Sequence, residues 1–176
     1  MQNRARGRKT QSTKLEQVSQ GDWSFRVSDW PMHHLLMIER QHAANSNRLL
    51  KHYGIDHRLW RLLVNVAERN GASVNELADR GGFERTTLSK IADKAQGSGL
   101  VARVIEDHDR RRSGLVLTAK GRQVIEQCKP IILGLFDSYF GPLAENEADE
   151  LMRLLRKVRQ NVEMQGVRIA KMSEES

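Results

Sequence analysis

Two groups of residues carry the chemistry open to this sequence. The segment "EDHDRRRSGLVLTAKG", residues 106–121, sets Arg110, Arg111 and Arg112 behind Asp107 and Asp109. It then changes within a few residues into an alternating apolar run that ends in a Thr-x-x-Gly turn. Adjacent guanidinium groups cannot serve a core, so their charge is meant for an anionic partner. The segment "ERTTLSKIADKAQ", residues 84–96, adds Arg85, Thr86, Thr87, Ser89, Lys90 and Lys94, placed near the N-terminal half of a helix. Short hydroxyls and long cations are the side chains that reach base edges and phosphates in the major groove of double-stranded DNA. Alone, such a face reads as a solvated one with Thr at the cap; beside an arginine-rich hairpin, nucleic-acid contact is the expectation.

Other chemistry is poorly supplied. His33, His34 and His42 raise metal binding, yet His34 and His42 stand about two helical turns apart, and no cysteine or carboxylate completes a tetrahedral set. No nucleophile elbow, phosphate loop or His-Glu-x-x-His pattern occurs, so neither an enzyme nor a cofactor is expected. Cys128 is the single cysteine. It cannot form an internal disulfide, agrees with a reducing compartment, and fits the apolar face of a helix.

The elements that must position these groups are legible from spacing and caps. Apolar residues at Leu35, Ile38 and Leu49, and at Leu36, Ala43 and Leu50, predict a helix from Pro31 to Tyr53, ended by Gly54. Asp56 is a plausible N-cap for a second helix that carries Trp60, Leu63, Val66 and Ala67 as far as Asn70-Gly71. Ser73 and Glu76 have capping-box spacing and open a short helix; Gly81-Gly82 and a further helix over 84–96 complete a helix-turn-helix. Two β-branched runs, residues 100–105 and 115–118, predict a hairpin joined by a charged loop. A long helix over 119–140 carries Val124, Cys128, Ile131, Leu135 and Tyr139 on one stripe, with Pro130 as an expected kink. A last helix over 147–162 shows Leu151, Leu154, Leu155, Val158 and Val162.

The bulk numbers agree with such a protein. Of its 176 residues 39% are apolar, enough for a packed core, and the net charge is +7. With a pI near 9.9 an acidic partner is favoured by Coulomb attraction. No apolar run of about 18 residues exists to span a bilayer, and the basic N-terminus lacks the apolar stretch of a secretory signal, so a cytoplasmic location without membrane attachment is expected.

"TTLSKIADKAQGSGLVARVIEDHDRRRSGLVLTAKG" resembles the winged-helix core of the MarR (multiple antibiotic resistance regulator) family of bacterial transcription factors, over residues 55–121. The family hallmark is an Asp-Arg-Arg in the wing followed at fixed distance by Leu-Thr-x-x-Gly; Asp109-Arg110-Arg111 precedes Leu117-Thr118 and Gly121 with that spacing. Gly81 and Ala95 depart from it, standing where the family usually has leucine, which predicts looser helix-turn-helix packing. The fold implied is mainly α with a small β-hairpin wing: a winged helix-turn-helix domain plus a helical dimerisation domain.

The resemblance further implies a homodimer in which residues 23–54 and 122–165 form the dimerisation region; from their composition, basic and almost without apolar residues, 1–22 are expected to be a disordered arm, and 166–176 are expected to be a flexible tail. It implies that Arg111 enters the minor groove, that Arg110 and Arg112 are phosphate or structural partners, and that Asp109 holds a neighbouring guanidinium. The function implied is a repressor released from a pseudo-palindromic operator by a small aromatic or lipophilic effector. Candidates to line its site are His33, His34, Met37 and Trp60, with Phe25 and Trp30 as lids. The alternative is a ligand-independent winged-helix DNA-binding or architectural protein.

Overall fold

The structure, a computed structural model, describes residues 26–106 and 109–174; the side chains of 105–112, 171 and 174 are outside that description. The expected basic arm at 1–22, and Trp23 and Phe25, lie outside the described residues. The chain divides into two units, 1–45 and 46–176.

In the first unit a 3-10 turn, Val27–Asp29, leads to Pro31, where α1 (Pro31–Leu50) begins. Proline suits this first helical position, because its missing N–H would have no intrahelical partner. Val27, Trp30, Met32, Leu36 and Ile38 are exposed here.

In the second unit local capping chemistry sets the boundaries. A 3-10 turn, Lys51–Tyr53, follows α1 and is closed by Gly54 at φ 70°. Asp56 then caps α2 (His57–Glu68), its carboxylate accepting from the Leu59 N–H at 2.8 Å. The Ser73–Glu76 capping box is formed at α3 (Val74–Gly81), with the Glu76 carboxylate 2.8 Å from the Ser73 N–H. Glu84 caps α4 (Arg85–Gly97). The hairpin β1 (Val101–Glu106) and β2 (Asp109–Leu117) follows, then α5 (Ala119–Phe140) and α6 (Glu145–Glu174).

The Thr-x-x-Gly turn shows why it has that composition. Thr118 Oγ1 accepts from the Gly121 N–H at 3.0 Å, capping α5, and donates to the Gly99 carbonyl at 2.7 Å. A Cβ at position 121 would fall 2.0 Å from the Leu100 carbonyl oxygen, so only glycine lets α5 start against the foot of the hairpin.

The hairpin differs from the expectation in two ways. β2 begins at Asp109 rather than near Leu115, so the charged run is strand and not loop. Its register is also broken: Ile105 pairs with Ser113, while the next residue, Glu106, pairs with Asp109. Arg110, Arg111 and Arg112 therefore fall between two registered pairs, as a bulge on β2. A third segment joins β2 from the α2–α3 turn, where Gly71 N–H donates to Leu115 O at 2.8 Å and Leu115 N–H to Ala72 O at 2.9 Å.

The core of this unit draws on every element from α2 to α5, with Leu59, Leu62, Leu63, Val66, Leu77, Leu88, Leu115, Cys128 and Ile132 buried. On α5 the buried stripe is Gly121, Ile125, Cys128 and Ile132; the expected stripe through Val124, Ile131, Leu135 and Tyr139 is only half-buried beside it. Burial pushes the Cys128 thiol up, which disfavours the reactive thiolate. α6 continues to Glu174, so residues 166–174 are helical where a flexible tail was expected. Among its described residues only Ala148, Leu151 and Leu155 are half-covered; Leu154, Val158 and Val162 are exposed.

Candidate nucleic-acid interface

The turn between α3 and α4 directs the second helix outward. Gly82 takes φ +63°, a conformation that side-chain-bearing residues rarely adopt, and Phe83 N–H closes on the Ala78 carbonyl at 3.0 Å. Leu88, Ala92 and Ala95 hold the inner face of α4 in the core. The opposite face is consequently fixed by helical geometry, and Thr86, Lys90 and Asp93 are exposed along it, with Ser89 and Thr87 half-buried at its sides.

The entrance of α4 carries a polar cluster. The Glu84 carboxylate accepts from the Thr86 hydroxyl, from Thr86 N–H at 2.9 Å and from Thr87 N–H at 2.7 Å. These bonds, the Thr86 hydroxyl foremost, lower the Glu84 pKa from 4.5 to about 2. Because the folded value is depressed, this contribution is present above the ordinary carboxylate range and is lost as pH falls toward 2. The cap and the orientation of Thr86 thus persist across the neutral range. Arg85 lies 3.3 Å from Asp79, both well exposed. Such surface pairs contribute about 0–1 kcal/mol, too little to keep Arg85 from a phosphate.

Lys94 is placed differently from its expected group. It lies in the last turn of α4, away from the N-terminal residues, with Nζ 3.5 Å from the Asp56 carboxylate that caps α2. Sequence spacing could not show this pairing, since the partners are 38 residues apart. Equally hidden in the sequence are the partners of Arg103 on β1, whose guanidinium donates to Asp93 at 2.7 Å and to Gln96 at 3.0 Å. It joins the hairpin directly to α4. Lys120 Nζ adds a bond to the Ser98 carbonyl at 2.9 Å, satisfying the exposed C-terminal end of α4.

A polar helix face and an arginine bulge on an adjoining strand are thus held in one unit, the arrangement of a winged helix. The sequence profile of the MarR family matches residues 53–112. The HTH-type transcriptional repressor IacR of Pseudomonas putida is 30% identical over 139 residues, covering 79% of this chain and 83% of the relative. The chain belongs to the MarR family. It is a DNA-binding transcriptional regulator of that family, and two solved MarR-type folds resemble it. The MepR–DNA complex of S. aureus has a TM-score of 0.70 at 17% identity, covering 78% of this chain and 99% of MepR. CouR of Rhodococcus jostii RHA1, bound to p-coumaroyl-CoA, has a TM-score of 0.69 at 21% identity, covering 77% and 95%.

Within this MarR-family chain the expected effector residues fall in different settings. His33 and His34 adjoin on α1, their rings edge to face with centroids 5.9 Å apart, and Met37 and Trp30 are exposed. Trp60 belongs to the core of the second unit, 8% exposed. Among the described residues no group of three or more His, Cys, Asp or Glu is arranged to hold a metal ion, and no helix is long and apolar enough to cross a membrane.

Proposed function

We propose that this chain is a dimeric, cytoplasmic repressor that reads a pseudo-palindromic operator and leaves it when a small aromatic or lipophilic ligand binds. The observation that carries the DNA half is the outward face of α4, bearing Thr86 and Lys90, tied through Arg103 to the strand pair whose β2 bulge holds Arg110, Arg111 and Arg112. Thr86, Thr87, Ser89 and Lys90 enter the major groove, with Arg85 and Lys94 on the flanking phosphates. Arg111 enters the minor groove, where a narrow A·T-rich stretch concentrates negative potential; Asp109 holds a neighbouring guanidinium, and Arg110 and Arg112 serve as phosphate or structural partners.

The dimer is supported by apolar side chains that a lone chain leaves in water: Leu133, Phe136 and Phe140 on α5, Val158 and Val162 on α6, and Leu36 and Ile38 on α1. A two-fold dimer sets its half-sites about 34 Å apart. The effector half is supported by CouR and by the His33, His34 and Met37 group on α1, an imidazole pair beside an apolar side chain suited to an aromatic acid or its thioester. No cofactor or catalytic step enters this reading.

An Arg111→Ala variant is expected to bind a specific operator about 1–3 kcal/mol more weakly at fixed salt, with unchanged circular dichroism. Equal affinity of variant and parent would remove the wing from the mechanism. Calorimetry with aromatic acids and their thioesters, with and without operator, tests the release. A ligand that lowers DNA affinity a hundredfold must itself be weakened a hundredfold by operator, about 2.7 kcal/mol by reciprocity. Equal ligand affinity in both conditions removes that ligand as effector. If none binds, the ligand-independent DNA-binding reading takes its place.

A further inference from the structure

The turn that aims α4 contains Gly81 and Gly82, and two glycines together give a chain no rigidity of its own. Whatever fixes the angle of α4 must come from elsewhere. It comes from α2. The Arg61 guanidinium donates through Nη2 to the Gly81 carbonyl oxygen, and its carbon atom lies 4.3 Å from the centre of the Phe83 ring. One side chain thus grips both ends of the turn, through an N–H at residue 81 and over the ring at residue 83.

Phe83 explains the missing side chain at position 81. A Cβ there would lie 2.8 Å from Phe83 Cδ2 and 2.9 Å from Cε2, so the ring occupies the room a larger residue would need. Phe83 is half-buried against the core. Glycine at 81 therefore does not loosen the helix-turn-helix; it admits a ring that arginine can cover.

We propose that Arg61 and Phe83 are positioning residues that set the entry angle of α4 and thereby the discrimination between operator and other DNA. The inference rests on the DNA-reading role of α4 and is independent of effector release. Lysine cannot replace Arg61, because a compact ammonium group has no fork of N–H donors that reaches one carbonyl while its centre stays over a ring. The distinction matters for binding. Base-edge contacts need α4 within a fraction of an ångström, whereas phosphate contacts tolerate displacement because they follow charge.

The experiment compares two affinities for each folded variant: one for the duplex that the full-length parent selects from a randomised pool, one for a scrambled duplex of equal length and salt. Arg61→Lys keeps the charge, and Phe83→Leu keeps an apolar filler. Each is expected to lower operator affinity about tenfold, the scale of one misplaced base contact, while scrambled-duplex affinity stays within about twofold. Gly81→Leu is expected to lose the same ratio, because its side chain must displace the ring that Arg61 covers. Both affinities falling by one common factor, or neither falling, overturns the proposal, since stability alone would move them together. A parent that enriches no sequence overturns it too, together with the operator reading; a parent that enriches one while the variants keep its ratio overturns the clamp alone.

Discussion

A Gly114→Ala variant is expected to lose its wing before it loses its fold. A Cβ at position 114 would fall 1.9 Å from the Gly71 carbonyl oxygen and 2.6 Å from its carbon, a collision with backbone that no rotamer relieves. The α2–α3 turn and β2 must part. Parting them breaks the paired bonds that tie the α2–α3 turn to β2, Gly71 N–H to Leu115 O and Leu115 N–H to Ala72 O. Leaving such groups unsatisfied costs about 1–3 kcal/mol apiece, so the local loss is about 3 kcal/mol or more. Leu115 itself is fully buried, and its displacement spreads the damage into the core. Operator affinity is the functional measurement, and hydrogen exchange at Gly71 and Leu115 the structural one. Faster exchange at these amides with weakened operator binding is the expected pair of results. Parental exchange and affinity would show that the hairpin does not depend on this close approach.

The second large effect is at Trp60. Trp60→Ala is expected to destabilise the protein by about 3–5 kcal/mol, the usual range for removing a buried aromatic from a core. At this chain length that corresponds to a melting temperature lower by about 10 °C or more. Trp60 was also a candidate wall of the effector site, and its 8% exposure makes the two roles separable. Trp60→Phe keeps most of the filling volume. If Trp60 contacts an effector, the phenylalanine variant changes ligand affinity while its melting temperature moves by only a few degrees. If Trp60 serves packing alone, ligand affinity well below the transition stays parental. A Trp60→Ala protein that melts like the parent would show the indole to be dispensable to the core.

The sequence by itself determined what depends on near neighbours. The caps at Asp56 and at Ser73 with Glu76 were legible because each hydrogen bond joins atoms within three residues, so stereochemistry fixes the outcome wherever the segment stands. The MarR signature was legible for a related reason. Its Thr118 and Gly121 answer to one local demand, a helix starting against a strand with no room for a side chain.

What the tertiary structure decided involves partners far apart in the chain or interactions indifferent to residue type. β2 reaches back to Asp109 because strand pairing uses backbone groups, while the apolar alternation that marks a strand in sequence stops at the arginines. α6 runs through Gly166 to Glu174 because one glycine costs a helix only about 1 kcal/mol, less than its helix-favouring neighbours supply. Lys94 meets Asp56, Arg103 meets Asp93, and Arg61 meets Gly81 and Phe83 only once α2, α4 and β1 have packed. Helical spacing says which residues share a face. Packing of those faces decides which arginine closes on the α3–α4 turn and which pairs with an acidic neighbour, because long charged side chains take whichever oxygen or ring the folded backbone brings within reach.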